Sequence, residues 1–306
     1  MRYSKAGDTM SQYICVDIGG TSIKHGVLDE NAIIKECNQT KTEAWLGGAA
    51  VLDKVKTIGK QYKEQYENIE GICISTAGMV DPEEGKIVFA GELMPGYTGT
   101  CIKKELEKAL EMPCEVENDV NCAGLAEYVS GSAKESHIMF CATVGTGIGG
   151  CAIVNGRVFH GASNSACEVG YIPMGDSDFQ TLGASSILVR KVAEKKIEPL
   201  DMWDGKKIFA LAEKGDKVCI SAIKEMCDVL GKGLATICYV LNPDTIVLGG
   251  GIMVQKKILE NEIRDSLNRY LRPILAEHLQ VCFAEYGNEA GMVGALYNFQ
   301  NKYGRK

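Results

Sequence analysis

Tyr13-Ile14-Cys15-Val16-Asp17-Ile18-Gly19-Gly20-Thr21-Ser22-Ile23-Lys24 reads as an apolar strand with a carboxylate near its end, a two-glycine turn, and the start of a second strand running to Leu28. Connections this short imply antiparallel hairpins, and a third strand is expected near Ala32 to Cys37. The pattern returns in the second half of the chain. Ile138 to Val144 is a strand, Gly145-Thr146-Gly147 a turn and Gly149 to Val154 a strand, closed by Asn155-Gly156, a pair suited to a hairpin turn with positive φ. A lone glycine pair after a strand is most often only a tight turn. Two such turns, each between strands and each carrying a threonine, indicate a structural duplication that has no fixed sequence period.

Glycine lets a backbone come within hydrogen-bonding distance of phosphate oxygens, and the N–H groups of such a turn converge as donors. Asp17, at the end of its strand, can organise a hydrated Mg²⁺. Two phosphate turns in a duplicated fold point to a nucleotide held between two similar domains. The chain has no G-x-x-x-x-G-K-[ST], which excludes a Walker-type site. G-x-G-x-x-G is also missing. Gly145-Thr146-Gly147-Ile148-Gly149-Gly150 leads into a strand, where a Rossmann motif needs a helix.

Outward from these turns, residues 47–66 carry apolar positions at helical spacing, and Gly71 to Thr76 is a buried strand followed by a loop, Ala77 to Pro82. Cys101 to Glu111 is an amphipathic helix stopped by Pro113. A short strand, Cys114-Glu115-Val116, runs into Glu117-Asn118-Asp119, where Asn118 or Asp119 is suited to cap a new helix. Further helices are expected near 184–196, 217–241 and 255–272, and from about 289. Strands are expected at Asp244 to Leu248 and Gln280 to Ala284, with Gly249-Gly250-Gly251 after the former.

Thirty-three Lys and Arg against forty Asp and Glu leave 306 residues with a net charge of −7. That balance argues against a nucleic-acid or acidic-membrane binder, yet leaves phosphate ligands open, because backbone N–H groups need no basic surface. The thirteen cysteines lie no closer than eight residues apart, mostly inside apolar runs, and there is no C-x-x-C. They read as reduced core thiols in a cytoplasmic protein. The N-terminus has no apolar h-region. The uncharged stretch Ser136 to Gly156 contains His137 and five glycines, so it reads as two strands and not as a membrane span. His25, His137, His160 and His278 show no metal-site spacing.

Six segments, in order from residue 13 to about 296, together resemble the ROK sugar kinases, of the actin/hexokinase type. Val16 to Lys24 is similar to the first phosphate motif, Glu117-Asn118-Asp119-Val120-Asn121 to the E-N-D-x-N motif, and Val144 to Gly150 to the second phosphate motif. Gly161-Ala162 with Glu168-Val169-Gly170 resembles G-A…G-E-x-G-H, Val247 to Gly251 the adenosine turn, and Ala290 to Ala295 the final helix. The resemblance implies a two-lobed α/β fold, actin-like and ribonuclease H-like. One lobe would hold residues 1–120 with a returning helix at about 290–306, the other residues 121–289, and the lobes would close on nucleotide and sugar. It implies ATP-dependent, Mg²⁺-dependent phosphorylation of a hexose or hexoside, of glucose or β-glucoside type, at the 6-hydroxyl. An N-acetylated amino sugar such as N-acetylmannosamine is the alternative substrate. A sugar-sensing regulator is disfavoured, because only twelve residues precede the first strand and the base Asp119 is kept.

Asp119 would be the general base, the alternative being a mere N-cap. Gly78, Asn118, Asp119, Glu168, Tyr171 and Gln180 would contact sugar, Asn118 through its amide. Tyr171 could instead be a packed core aromatic. Asp17, Gly19, Gly20, Thr21, Gly145, Thr146 and Gly147 would line the ATP phosphates, with Gly249, Gly250 and Gly251 near adenosine. Lys24 would approach phosphate or lie on a solvated hairpin face. A homodimer is open.

Two departures from the pattern matter. The family's zinc-holding C-x-C-G-x-x-G-C-x-E segment corresponds to Met174 to Leu182, without a cysteine, and Tyr171 stands in the place of the zinc-binding His. No structural zinc is expected, as in the family's β-glucoside kinases. Gln180 stands where the family has a sugar-binding Glu, and Leu93 where it has the Asn of N-L-P-G-W. Tyr171, Gln180 and an unmetallated loop lead to an expected tolerance of a substituent at the anomeric carbon.

Overall fold

The computed structural model describes residues 10–304. The chain forms two compact units, one holding the described residues up to Ala126 together with those from Asn288 on, the other spanning Glu127–Gly287.

The first unit begins with β1 (Gln12–Ile18), β2 (Ser22–Asp29) and β3 (Ile34–Lys41), followed by α1 (Gly48–Gln65) and β4 (Ile69–Thr76). Then come a hairpin, β5 (Met79–Asp81) and β6 (Lys86–Phe89), the helix α2 (Ile102–Leu110), β7 (Cys114–Asn118) and the start of α3 (Asp119–Val129). The sheet order is β3-β2-β1-β4-β7, with β1 to β3 antiparallel and β4 and β7 parallel to β1. Alternation in β1 sends Ile14, Val16 and Ile18 to a core shared with Val51, Val55, Ile58 and Tyr62 of α1. In α2 the buried residues are Ile102, Leu106 and Leu110, a stripe at i, i+4 and i+8, and the helix ends where Glu111 turns left-handed at φ 53°. β3 starts two residues later than its composition suggests, because Asp29 Oδ1 accepts from the N–H groups of Asn31 and Ile33 and holds Ala32 in a turn at φ 61°.

The second unit carries β8 (Ile138–Val144), β9 (Ile148–Val154), β10 (Arg157–Val158), β11 (Pro173–Met174), β12 (Ser177–Asp178) and the helices α4 (Phe179–Gly183), α5 (Ser185–Lys196), α6 (Gly205–Glu213) and α7 (Lys217–Leu241). β13 (Thr245–Gly249), α8 (Lys256–Tyr270), α9 (Pro273–Ala276) and β14 (Gln280–Phe283) complete it. Its sheet order is β10-β9-β8-β13-β14, again an antiparallel meander continued by two strands parallel to its first. The two sheets thus share one plan, which is the duplication seen in the glycine turns. Asn155 and Gly156 have φ of 49° and 81°, as a two-residue hairpin turn requires.

The last helix, α10 (Ala290–Tyr303), packs on the first unit. A Cβ on Gly294 would lie 1.7 Å from the Cys122 carbonyl oxygen of α3, so the two helices touch backbone to backbone.

Most cysteines are buried and all are free. The uncharged Ser136 to Gly156 stretch is the β8–β9 hairpin with its flanks, and among the described residues no helix is long and apolar enough to cross a membrane.

Candidate active site

In the first unit the polar residues gather at the carboxyl ends of the three parallel strands. Register places Asp17 beside Ser75 and Ser75 beside Glu117, so one row of side chains crosses β1, β4 and β7 on the same face. Ser75 is fully buried and donates to Asp17 Oδ1 at 2.7 Å. Lys24 lies opposite Asp17 in the hairpin, with Nζ 3.8 Å from Oδ2, and donates to the Asn288 carbonyl at 3.1 Å. It therefore points along the carboxylate and not out from the hairpin. Burial raises the pKa of Asp17, while the Ser75 bond and the Lys24 charge work against it.

The turn beside this row is held by its carbonyls. Thr42 Oγ1 donates to the Gly19 carbonyl at 2.6 Å, and Thr42 N–H donates to the Thr21 carbonyl at 3.0 Å. A Cβ on Gly20 would meet nothing within 4 Å, so that side of the turn is open to a ligand.

Asn118 ends β7 and caps α3, its Oδ1 accepting from the N–H groups of Val120 and Asn121 at 2.9 and 3.1 Å. Its amide nitrogen donates to the Gly78 carbonyl at 2.9 Å and to Asp119 Oδ1 at 3.0 Å. Both amide hydrogens are thus spent inside the protein, where the sequence suggested a direct sugar contact. Capping belongs to Asn118, which leaves Asp119 in the first turn, half-buried, with Val120 N–H also on Oδ1. Glu117 supports the turn from below, fully buried, accepting from Asn118 N–H and the Asn121 amide.

Asp119 has its pKa pushed up to about 7. Burial is the main cause and the like charge of Asp17 the second; the helix N–H groups and the Asn118 amide pull the other way. A carboxylate poised there can take a hydroxyl proton near neutral pH, and Oδ2 is the oxygen left for it.

The second unit has its own cluster. Gly145 N–H closes the turn onto the Gly147 carbonyl at 2.9 Å. Ser185 donates to the Gly145 carbonyl through both N–H and Oγ, at 3.0 and 2.7 Å, and Ser186 Oγ donates to the Thr146 carbonyl at 2.7 Å. A Cβ on Gly145 would meet nothing within 4 Å, and its φ lies outside the left-handed region, so neither packing nor conformation in the unliganded protein requires glycine there. Gly250 is the reverse case. At φ 97°, a Cβ there would lie 2.3 Å from the Val144 carbonyl oxygen, which seats the 249–251 turn against the end of β8.

Gln180 sits beside the 145–147 turn, its Oε1 2.7 Å from where a Gly147 Cβ would be and 2.9 Å from a Gly170 Cβ. Tyr171, more than half exposed, is not a core aromatic. Glu168 is exposed, and partial desolvation by its surroundings raises its pKa.

Sequence reasoning missed Ser75, Thr42, Ser185 and Ser186. Ser75 alone left a signal, a hydroxyl in the otherwise apolar Ile72-Cys73-Ile74 strand.

The ROK family profile matches residues 13–302, nearly the whole chain. The chain belongs to the ROK family. It is 30% identical over 295 residues to a β-glucoside kinase of Klebsiella pneumoniae, covering 94% of this chain and 95% of that one. A ROK glucokinase from Streptomyces griseus, solved with glucose and AMPPNP, is 28% identical with a TM-score of 0.81, over 94% of this chain and 98% of that one. A Streptococcus pneumoniae ROK protein solved with sucrose is likewise 28% identical, with a TM-score of 0.83 over 96% of this chain and all of that one. The fold is therefore the two-unit, actin-like α/β fold of the ROK kinases.

In the stretch that resembles the family's zinc-holding segment, this chain builds a small hairpin, β11–β12, turned by Gly175 at φ 65°. Asp178 caps α4 by accepting from Thr181 N–H at 2.7 Å. Phe179 is fully buried against α7, its ring 2.3 Å from where a Gly233 Cβ would sit. An aromatic wedge and a helix cap thus fix this segment. Among the described residues no group of three or more His, Cys, Asp or Glu could hold a metal. Elemental analysis of the purified protein is expected to find no stoichiometric zinc. One zinc per chain, removable only with unfolding, would overturn this.

Proposed function

We propose that the chain is an ATP-dependent sugar kinase that transfers the γ-phosphoryl group to the primary hydroxyl of a glucose-type hexose or β-glucoside, with Asp119 as general base. The observation that carries the reading is the poised carboxylate: Asp119 at the start of α3, fixed through Oδ1 by Asn118, with Gly78 tied to the same amide. The β-glucoside kinase and glucokinase relatives favour the substrate class.

Asp17 suits a hydrated Mg²⁺, being a buried carboxylate with one oxygen oriented by Ser75. Bound there, Mg²⁺ would neutralise charge on the transferring phosphate. Gly20 and Gly145 present open backbone for phosphate oxygens. Asn118 is read as the residue that aims Asp119, since its amide is spent on that carboxylate and on Gly78. As the sugar oxygen forms its bond to phosphorus and the bond to ADP breaks, the hydroxyl proton passes to Asp119 Oδ2. Glu168, Tyr171 and Gln180 are proposed to face the anomeric end.

A coupled assay across glucose, N-acetylmannosamine, cellobiose and aryl β-glucosides tests the reading. Clear preference for the N-acetylated sugar, by ~100-fold in kcat/KM, would overturn the glucoside assignment and leave the kinase. The pH profile tests the base. Because ionised Asp119 is the active form, kcat/KM with both substrates far below saturation should fall tenfold per unit below about pH 7. A carboxylate at its ordinary value of 3.8 would leave the profile flat down to about pH 5. Asp17→Asn removes the like charge, so whatever activity remains should show its acid limb at lower pH.

A further inference from the structure

Two loops of the first unit, residues 44–48 and 88–97, hold large apolar side chains out into solvent. Leu93 is 83% exposed and Trp45 70%, and Leu46 and Phe89 are each more than half exposed. The loops themselves are firmly seated. Ala44, Met94 and Tyr97 are buried beneath them, Gly48 N–H donates to the Pro95 carbonyl at 2.9 Å, and the Tyr97 hydroxyl meets Thr76 Oγ1 at 2.7 Å. The second loop also abuts the Asp119 cluster. The Phe89 carbonyl oxygen lies 2.8 Å from where a Gly78 Cβ would sit, and Gly78 is bonded to the Asn118 amide that fixes Asp119.

Four large apolar side chains exposed on two loops that are hydrogen-bonded to each other form a candidate ligand surface. A free hexose, polar around its edge, leaves such a rim uncovered, whereas a substituent on the sugar would cover it. The one charged residue in these loops is the acidic Glu92, and Glu43, just before the first loop, is already paired with Lys54, so an anionic group is disfavoured.

We propose that Trp45, Leu46, Phe89 and Leu93 form a platform for a neutral alkyl or aryl aglycone of a glucoside whose sugar ring occupies the Gly78–Asn118–Asp119 cluster. This rests on the kinase reading above and adds to it the part of the site that selects the substituent.

Glucose, methyl β-glucoside and n-hexyl β-glucoside separate the contributions. Wild type should favour the hexyl over the methyl glucoside by ~10-fold or more in kcat/KM, which needs fewer than about two of the five extra methylenes fully buried, at about 0.8 kcal/mol each. Trp45→Ala and Leu93→Asn should remove most of that preference while leaving glucose within ~3-fold. Fluorescence gives a readout independent of turnover. The chain has two tryptophans and Trp203 is buried, so solvent-sensitive emission reports Trp45. Hexyl glucoside should shift the emission to the blue, and methyl glucoside should not. Equal loss toward glucose and hexyl glucoside in both variants would make the loops a lid or a folding element and overturn the platform. No hexyl preference and no blue shift in wild type would overturn it while the kinase stands. Absence of phosphorylation of any sugar would overturn both.

Discussion

Asp119→Asn should cut turnover by ~10²–10⁴-fold and, at pH 8, raise the melting temperature. The amide keeps the shape and can still accept from Val120 N–H, but it cannot take the hydroxyl proton. The stability effect follows from linkage. The folded protein keeps the Asp119 proton up to about pH 7, while the unfolded chain releases it near 3.8. Over that window the native state binds more protons, so wild-type stability falls as pH rises and levels off above about 7. Three pKa units correspond to at most about 4 kcal/mol, and asparagine removes that penalty. Thermal melts of both proteins from pH 4 to pH 8 check it: curves that converge at pH 4 and separate by several degrees at pH 8, with the variant the more stable. A variant less stable at every pH, or one with near-normal turnover, would show that Asp119 is a structural carboxylate.

Gly145→Val is expected to keep the fold and lose the nucleotide. The backbone there has an ordinary φ and open space on the Cβ side, so valine costs little in the unliganded protein. Its branches occupy the volume a phosphate needs to reach the turn. ATP affinity should drop by ~100-fold or more, about 3 kcal/mol, with sugar affinity within ~3-fold. Gly250→Val supplies the contrast. It meets a backbone oxygen at 2.3 Å in a left-handed conformation, so the protein should fail to fold stably. Calorimetry on the folded Gly145 variant decides the matter, and unchanged ATP binding would move the phosphate site elsewhere.

The glycine turns, the longer strands of both sheets and α3 with its Asn118-Asp119 start were legible because each is a local pattern: alternation, a glycine pair, a capping residue. β5–β6 and β11–β12 were not, since strands of two to four residues carry no period to detect. α6 escaped although Asp204 caps it by accepting from Lys207 N–H, because only Ile208 and Phe209 mark its buried face. In the site, residue identities could be read but not their commitments. That Asn118 spends its amide on Gly78 and Asp119 depends on a chain segment forty residues earlier. The raised pKa of Asp119 depends on Asp17, a hundred residues away in sequence and brought near only by β4 lying between β1 and β7. Register across strands, and with it Ser75 under Asp17, is a tertiary fact that no single segment announces.

Phe179 has a bearing on where such a protein can work. An anchor made of an aromatic ring against α7 is indifferent to chelators, to oxidants that attack thiolates, and to acid that protonates imidazoles. It draws nothing from a cell's trace-metal supply, so the segment carrying Tyr171 and Gln180 would keep its shape through starvation for metals. Its vulnerability is the ordinary one of apolar packing, which weakens in denaturants and loses to chain entropy on heating.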